Sequence, residues 1–256
     1  MSNTASHLLN IGSSTAASLA TLFRGTNSKP AATQPEQLLE LYEMENCPYC
    51  RLVRQTLTEL DLDALIYPCP KGGQRFRPAM VALGGKAQFP FLIDPNTGRQ
   101  LYESADIIEY LYQTYGGRPA PSKTKLKSFD TGSALIATAV RMGKGFNAKP
   151  ANVNEKPLEL WGFESSPFAR PVRERLCELE LHFVTKNIGK AQLSDFSLPF
   201  MRSHIWKEYP HKGRNREILA EKTGQVMSPY LVDPNTGVEM YESADIIDYL
   251  NITYAK

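Results

Sequence analysis

Apolar and polar positions alternate over LLELYEM (38–44), which predicts a β-strand with one buried face. The next run, CPYCRLVRQTLTELD (47–61), changes period. Val53, Leu57 and Leu60 recur at i, i+4 and i+7, the spacing of one helix face. ALIYP (64–68) reads as a second strand, and RPAMVALGG (77–85) as a helix closed by glycines. PFLI (90–93) and RQLYE (99–103) are strands joined by DPNTG, with proline early in the turn and glycine at its end. SADIIEYLYQTY (104–115) is the last helix, with Ser104 expected as its N-cap and Asp106 in its first turn. The order is βαβαββα, a mixed four-stranded sheet with helices on both faces.

The same pattern then returns. SSPFARPVR (165–173) stands in the frame of NCPYCRLVR (46–54), and Val172, Leu176 and Leu179 repeat the helix stripe. SPYLVDPNTGVEMYESADIIDYL (228–250) matches FPFLIDPNTGRQLYESADIIEYL (89–111). Between these matches the offset grows by about twenty residues, an insertion within 191–215 of the kind repeats tolerate. The repeat also reaches backwards. GTNSKPA (25–31) faces GFNAKPA (145–151), after the small-residue helical stretches ASLATLFR (17–24) and ALIATAVR (134–141). The expected class is therefore α/β, two tandem βαβαββα domains, each preceded by a short helical segment, with no all-helical C-terminal domain. The boundaries fall at 1–36 for the helical extension, 37–117 for the first domain, 118–156 for a linker with a helix, and 157–256 for the second domain. Residues 11–31 are expected to pack on the first domain as 130–151 pack on the second. Residues 1–35 lack acidic residues and are rich in Ser, Thr and Ala, as transit peptides are, but a cleaved peptide has no reason to recur in mid-chain.

Composition narrows the picture. A chain of 256 residues, 42% of them hydrophobic, is long enough for two small domains. The 29 basic and 27 acidic residues leave a charge of +2, which gives no argument for nucleic acid. No apolar run reaches the ~18 residues of a membrane span. Four cysteines, at 47, 50, 69 and 177, are too few for a secreted disulfide framework. A lone C-x-x-C reads as redox or metal chemistry in a reducing compartment, the cytoplasm or, alternatively, a plastid.

Cys47 immediately precedes Pro48, a favourable first helical residue, so its sulfur sits where free N–H groups stabilise a thiolate. Cys47 is the expected attacking sulfur, and Cys50, one turn on, the resolving one. Arg51 is expected to add positive charge, whereas Glu43 and Glu45 are expected to oppose ionisation of Cys47. Zinc would need a second ligand pair, and the sequence has no second C-x-x-C or H-x-x-x-H, so no metal is expected. Cys69 reads as an alternative resolving thiol or as an incidental loop cysteine. Cys177 reads as a packed core residue. In the insertion, His204, Trp206 and His211 either touch a substrate or belong to a plain surface loop, and 191–215 is a candidate face for a protein partner.

The frame strand–CPYC–helix, FPFLI and YESADII resembles glutaredoxins and the N-terminal, thioredoxin-fold domain of glutathione S-transferases. The resemblance covers nearly the whole chain as two copies, an arrangement similar to tandem proteins of cyanobacteria and plastids. It implies glutathione as cosubstrate and catalytic roles for Cys47 and Cys50. It also implies glutathione contacts from Pro48, Tyr49, Phe89 before a cis Pro90, Glu103, Ser104 and Lys71, with Arg75 or Arg77 as other cations for the glycyl carboxylate. A γ-glutamyl carboxylate suits a helix start, where N–H groups and the Ser104 hydroxyl are free, and Glu103 suits the glutamyl ammonium. Taken alone, Glu103–Ser104 is a solvated acid and a helix cap; beside CPYC and FPF the pair reads as a binding site. The second copy keeps Ser228, Pro229, Glu242 and Ser243 but has Ser166 in place of the thiol. Serine-type transferases hydrogen-bond the glutathione thiolate from such a position, and a substituted copy is otherwise a structural remnant. The implied function is glutathione-dependent thiol–disulfide exchange with a disulfide or glutathionylated substrate through the first domain. A glutathione transferase, a non-enzymatic redox sensor or scaffold, and an iron–sulfur carrier are the alternatives.

Overall fold

The computed structural model describes residues 4–121, 130–196 and 211–256. The chain opens with α1 (Thr4–Ala20) and runs through β1 (Leu39–Glu43), α2 (Pro48–Glu59), β2 (Ala64–Pro68), α3 (Arg77–Gly84), β3 (Phe91–Asp94), β4 (Arg99–Leu101) and α4 (Ser104–Leu111). A π-helical turn at Tyr112–Gly116 closes the first copy. α5 (Thr131–Val140) leads into β5 (Leu158–Gly162), α6 (Ala169–Glu178), β6 (Phe183–Asn187), α7 (Arg214–Thr223), β7 (Tyr230–Asp233), β8 (Val238–Tyr241) and α8 (Ser243–Tyr254). Both copies therefore have the βαβαββα order that the periodicity predicts.

The strands form one sheet of eight, ordered β4-β3-β1-β2-β6-β5-β7-β8. In each copy the first two strands are parallel and the third is antiparallel to the first. The copies join where β2 and β6 pair antiparallel, with Ala64 opposite Thr185 and Ile66 opposite Phe183. Each copy thereby covers the other's open strand edge. One apolar core runs through both, from Leu41, Val53 and Ile108 to Leu160, Val172 and Ile246.

The DPNTG turns are pinned to the closing helices. Asp94 takes the Asn96 N–H on Oδ1 at 2.8 Å, and the Tyr110 and Tyr115 hydroxyls on Oδ2 at 2.6 Å each. Asp233 repeats this with Asn235, Tyr249 and Tyr254. Burial acts to raise both carboxyls, but the donors outweigh it and hold them below the usual range. These bonds fix the direction of α4 and α8, and with it the position of the Glu-Ser pairs at their starts.

The N-terminal segment does not pack as the repeat suggests. α1 lies against α5 and against α6 of the second copy, while α5 lies against α1 and against α2 of the first. The Ser18 hydroxyl donates to the Ser165 carbonyl at 2.7 Å, and Arg170 donates to the Ser14 carbonyl. Only the following segment returns to the first copy, where Lys29 and Ala31 donate to the carbonyls of Glu59 and Leu60. The physical reason lies in two glycines. Gly25 has φ 75°, and a Cβ there would stand 2.9 Å from Cβ of Glu164 in the second copy. Gly145 has φ 74°, and a Cβ there would stand 3.1 Å from Cβ of Glu45 in the first. The repeated segments thus cross between copies at positions only glycine accommodates.

Candidate functional site

Cys47 is the N-cap of α2, with extended backbone at φ −128°, and Pro48 is the first helical residue. The Cys50 N–H donates to its sulfur at 3.4 Å. The interaction with the Cys50 side chain is the largest cause that draws the Cys47 thiol down to about 7; burial opposes it, while the N–H groups of Cys50 and Tyr49 and the Arg54 charge assist. Cys50 is fully enclosed, and burial, its bond to Cys47 and nearby negative charge push its thiol well up. The pair thus holds one ionisable sulfur at the rim, 7% exposed, and one protonated sulfur beneath it. Both are free thiols.

Glu43 and Glu45 do not act on the thiol as bare acids. Each is ion-paired with Arg54, and Glu45 also holds Arg173 of the second copy at 3.1 Å. Burial outweighs Arg54 and raises the Glu43 carboxyl to about 7. Glu43 and a Cys47 thiolate repel each other as expected, but the Cys50 interactions, the Tyr49 N–H and Arg54 outweigh that opposition. Arg51 is not the thiol's cation either. Its guanidinium is buried and donates to Glu164 of the second copy at 2.9 Å, and Arg54, one turn further along α2, supplies the charge instead. Arg54 and Arg173 meet the same Glu164 carboxylate at 2.9 and 3.0 Å. Sequence reasoning missed this cluster, although a signal was there: R-x-x-R recurs unchanged in RLVR (51–54) and RPVR (170–173) while the thiols beside it are lost.

The remaining candidates fall into two groups. Phe89–Pro90 and Ser228–Pro229 are both cis. The Arg77 guanidinium stacks 4.8 Å from the Phe89 ring centre, and its Nε donates to the Cys69 carbonyl. Glu103 accepts from Gln88, and Tyr49 is half-exposed. Ser104 is the first residue of α4 and not its N-cap. Glu103 takes that position at φ 63° without a side-chain cap, because a left-handed residue turns its side chain away from the helix-start N–H groups. Glu242 before Ser243 repeats this at φ 69°. Lys71 is held by its backbone, which pairs with Phe146 and Ala148, and its ammonium stands 5.7 Å from the Phe146 ring centre. Arg75 is occupied with the carbonyls of Leu179, Glu180, Ala151 and Asn152. Cys69 and Cys177 are buried with thiols pushed up by burial, and Cys177 takes the Glu45 N–H at 3.5 Å.

In the second copy Ser166 holds the place of Cys47. It accepts the Ala169 N–H at 3.2 Å and the Ser228 hydroxyl at 3.1 Å. A cavity of about 210 Å³ opens beside it, walled by Phe163, Phe168, Val226 and Met227. A second cavity, of about 120 Å³, continues to Pro229, Glu242 and Ser243. The Ser243 hydroxyl lies 3.4 Å from His7 Nε2 on α1, a residue the sequence did not single out. The described part of the insertion is tied down, with Asp195 accepting from Ala191, Gln192 and Arg216. His204 and Trp206 lie outside the described residues, whereas His211 lies within them. Among the described residues, no three His, Cys, Asp or Glu side chains gather as a metal site, and no helix is long and apolar enough to cross a membrane.

The family model described as "Glutathione S-transferase, N-terminal domain" matches residues 41–119 and 160–256, more than half of the chain. Among solved structures, Bombyx mori glutathione transferase BmGSTD1 is 30% identical over 34% of this chain and 39% of its own, with a TM-score of 0.29. Leishmania TDR1, titled a unique trimeric glutathione transferase, is 12% identical over 86% of this chain and 68% of its own, with a TM-score of 0.28. The chain thus spans well under half the length of the first of these two. Comparison with curated proteins finds no match.

Proposed function

The chain belongs, in both of its copies, to the glutathione S-transferase N-terminal domain family, and from that premise we propose that its first copy is a glutathione-dependent thiol–disulfide oxidoreductase. One observation carries the reading: Cys47 caps α2 with its thiol drawn down to about 7, above a Cys50 thiol pushed up. The Cys47 thiolate attacks the glutathione sulfur of a mixed disulfide. A Cys47–glutathione disulfide forms, and the substrate leaves as a thiolate that takes a proton from water. A second glutathione thiolate then attacks the bound glutathione sulfur, releasing oxidised glutathione and the Cys47 thiolate. The substrate sulfur gains one electron and the incoming glutathione sulfur loses one, while the first glutathione passes from one disulfide to the next without changing oxidation state. Resolution by Cys50 requires its deprotonation first, which burial disfavours, so glutathione is the principal resolving thiol.

Phe89, Pro90, Glu103 and Ser104 are the proposed glutathione contacts. Arg77, on the ring of Phe89, replaces Arg75 as a candidate for the glycyl carboxylate beside Lys71. In the second copy Ser166 has no general base, since its described partners are a backbone N–H and another serine hydroxyl. That copy therefore binds without turnover in this reading. The open cavity beside Ser166 favours one alternative, a glutathione transferase whose electrophile enters there.

The test is reduction of a glutathione mixed disulfide. Cys47→Ser abolishes it, while Cys50→Ser keeps glutathione-supported turnover. Activity that survives Cys47→Ser refutes the assignment, and conjugation of an aryl halide that is lost in Ser166→Ala moves the function to the second copy.

A further inference from the structure

One corner of the fold is built twice, and its second version holds a cavity ringed by cations. In the first copy the corner follows α1, where the Arg24 N–H donates to the Thr21 carbonyl and the Lys29 N–H to the Glu59 carbonyl. In the second it follows α5, where Lys144 donates to Arg141 and Lys149 to Glu178 in the same way. The backbone thus sets Arg24 opposite Lys144, not opposite the Arg141 that the sequence match suggests. Lys29 corresponds to Lys149 and Glu59 to Glu178. The first corner is filled and balanced in charge. Arg24 pairs with Asp130 at 2.5 Å and with Glu59 at 3.3 Å. The buried Tyr112 donates its hydroxyl to Glu59 at 3.0 Å.

Three replacements change the second corner. Asn10 of α1 stands at the place of Asp130, so the Lys144 ammonium, donating to Asn10 Oδ1 at 2.7 Å, has a neutral partner instead of a carboxylate. Asn251 of α8 stands at the place of Tyr112, a short amide instead of a ring. Arg175 of α6 stands at the place of Thr56 and adds a guanidinium, which donates to Asn251 at 2.6 Å and to Glu178 at 3.0 Å. A cavity of about 240 Å³ lies here, and Asn10, Lys144, Lys149, Glu174, Arg175 and Glu178 line it. Arg141 cancels Glu174, holding both its oxygens at 2.6 Å. Glu178 pairs with Lys149 and Arg175. Three cations therefore face one carboxylate, an excess of two positive charges. Burial and the adjacent Arg141 push the Lys144 ammonium down, the direction of a cation short of counter-charge. A phosphoryl group meets the charge, the donors and the room together. Near pH 7 it carries about two negative charges on three acceptor oxygens, and a guanidinium fork matches its geometry. A single carboxylate brings half that charge. We propose that this cavity, between α1, α6 and α8, binds the phosphoryl group of a small phosphate compound through Lys144, Lys149 and Arg175. The proposal is independent of the glutathione reading, since the cavity shares no residue with either copy's proposed glutathione contacts.

Calorimetric titration of the full chain tests this, with inorganic phosphate in one arm and glycerol 3-phosphate in the other. Both are run at pH 7 and constant ionic strength, so that screening does not differ between them. The expected result is saturable binding at one site per chain with a Kd below about 1 mM. The tighter arm identifies free or esterified phosphate as the source. Asn10→Asp returns the first corner's carboxylate to a place beside Lys144 and Arg141. It is expected to weaken binding at least about tenfold with no fall in Tm in phosphate-free buffer, because it adds a counter-charge. Arg175→Gln weakens binding as well. Hydrogen exchange on the unaltered protein needs no variant: phosphate raises protection in residues 141–149 and 169–178. Absence of saturable binding in both arms up to about 10 mM overturns the proposal, as does binding indifferent to Asn10→Asp. Displacement of the phosphate by glutathione overturns it too and gives the cavity to a carboxylate ligand.

Discussion

Cys47 and Cys50 lie within one helical turn yet titrate in opposite directions, because one caps the helix start and the other lies wholly beneath it. The partner side chain at Cys50 is the largest contributor to the low value of Cys47, which makes the effect separable by substitution. Alkylation of the reduced protein by iodoacetamide follows the thiolate fraction, so its rate rises with pH and is half-maximal near pH 7. Cys50→Ser retains a hydroxyl donor and keeps that midpoint. Cys50→Ala removes the donor and moves the midpoint to higher pH, by about one unit for a loss of ~1.4 kcal/mol. Cys69 and Cys177 add no wave in this range, since burial raises both thiols. A midpoint unmoved in Cys50→Ala would mean that the helix-start N–H groups alone set the thiol.

At the level of elements, α1 is the part whose place the repeat misleads about. The alternation of LLELYEM and the stripe Val53, Leu57, Leu60 were enough to read each copy's strands and helices, because those patterns record burial against a local core. The C-x-x-C before Pro48 was legible for the same local reason, a helix start a few residues long. What crosses between copies left no periodic trace. Ser14 and Ser18 look like solvent-facing positions in the sequence, yet they are enclosed and bonded to Arg170 and Ser165 of the second copy. Ser104 looks like a cap, and only the backbone turn at Glu103 shows that it is not. Deleting residues 1–23 tests the placement. It removes the Ser14, Ser18 and Asn10 bonds to Arg170, Ser165 and Arg141. At about 1 kcal/mol each, these sum to about 3 kcal/mol, or roughly 6–12 °C in Tm for a chain of this size. Hydrogen exchange then identifies the copy affected: protection falls in residues 169–178 of the second copy and holds in residues 48–59 of the first. Loss confined to 48–59 would restore the placement that the repeat suggests.

Across the whole molecule, three layers tie the copies together: the β2–β6 pairing, the exchanged helices, and a buried cluster in which Arg51, Arg54 and Arg173 share Glu164. Through this cluster the second copy, which has Ser166 and Ala169 in place of the C-x-x-C thiols, contributes a charge to the surroundings of the first copy's site. Glu164 belongs to the second copy but pairs with Arg54, whose charge helps lower the first copy's Cys47 thiol. Burial acts to raise its carboxyl, and Arg173, Arg54 and Arg51 outweigh burial and hold it far below the usual range, so it stays charged at every ordinary pH. Removing that one charge takes from Arg51 its described ion-pair partner and leaves Arg54 and Arg173 to share Glu43 and Glu45, a defect of about 3–5 kcal/mol. Glu164→Gln is therefore expected to lower the unfolding midpoint of the chain by that amount while calorimetry still shows one transition. Two independent domains would respond differently, since only the second would melt early and the trace would split. A split trace would show the joined sheet and core to be weaker couplings than their geometry implies, and a midpoint unchanged by the substitution would show that the three arginines find water or other acceptors in its place.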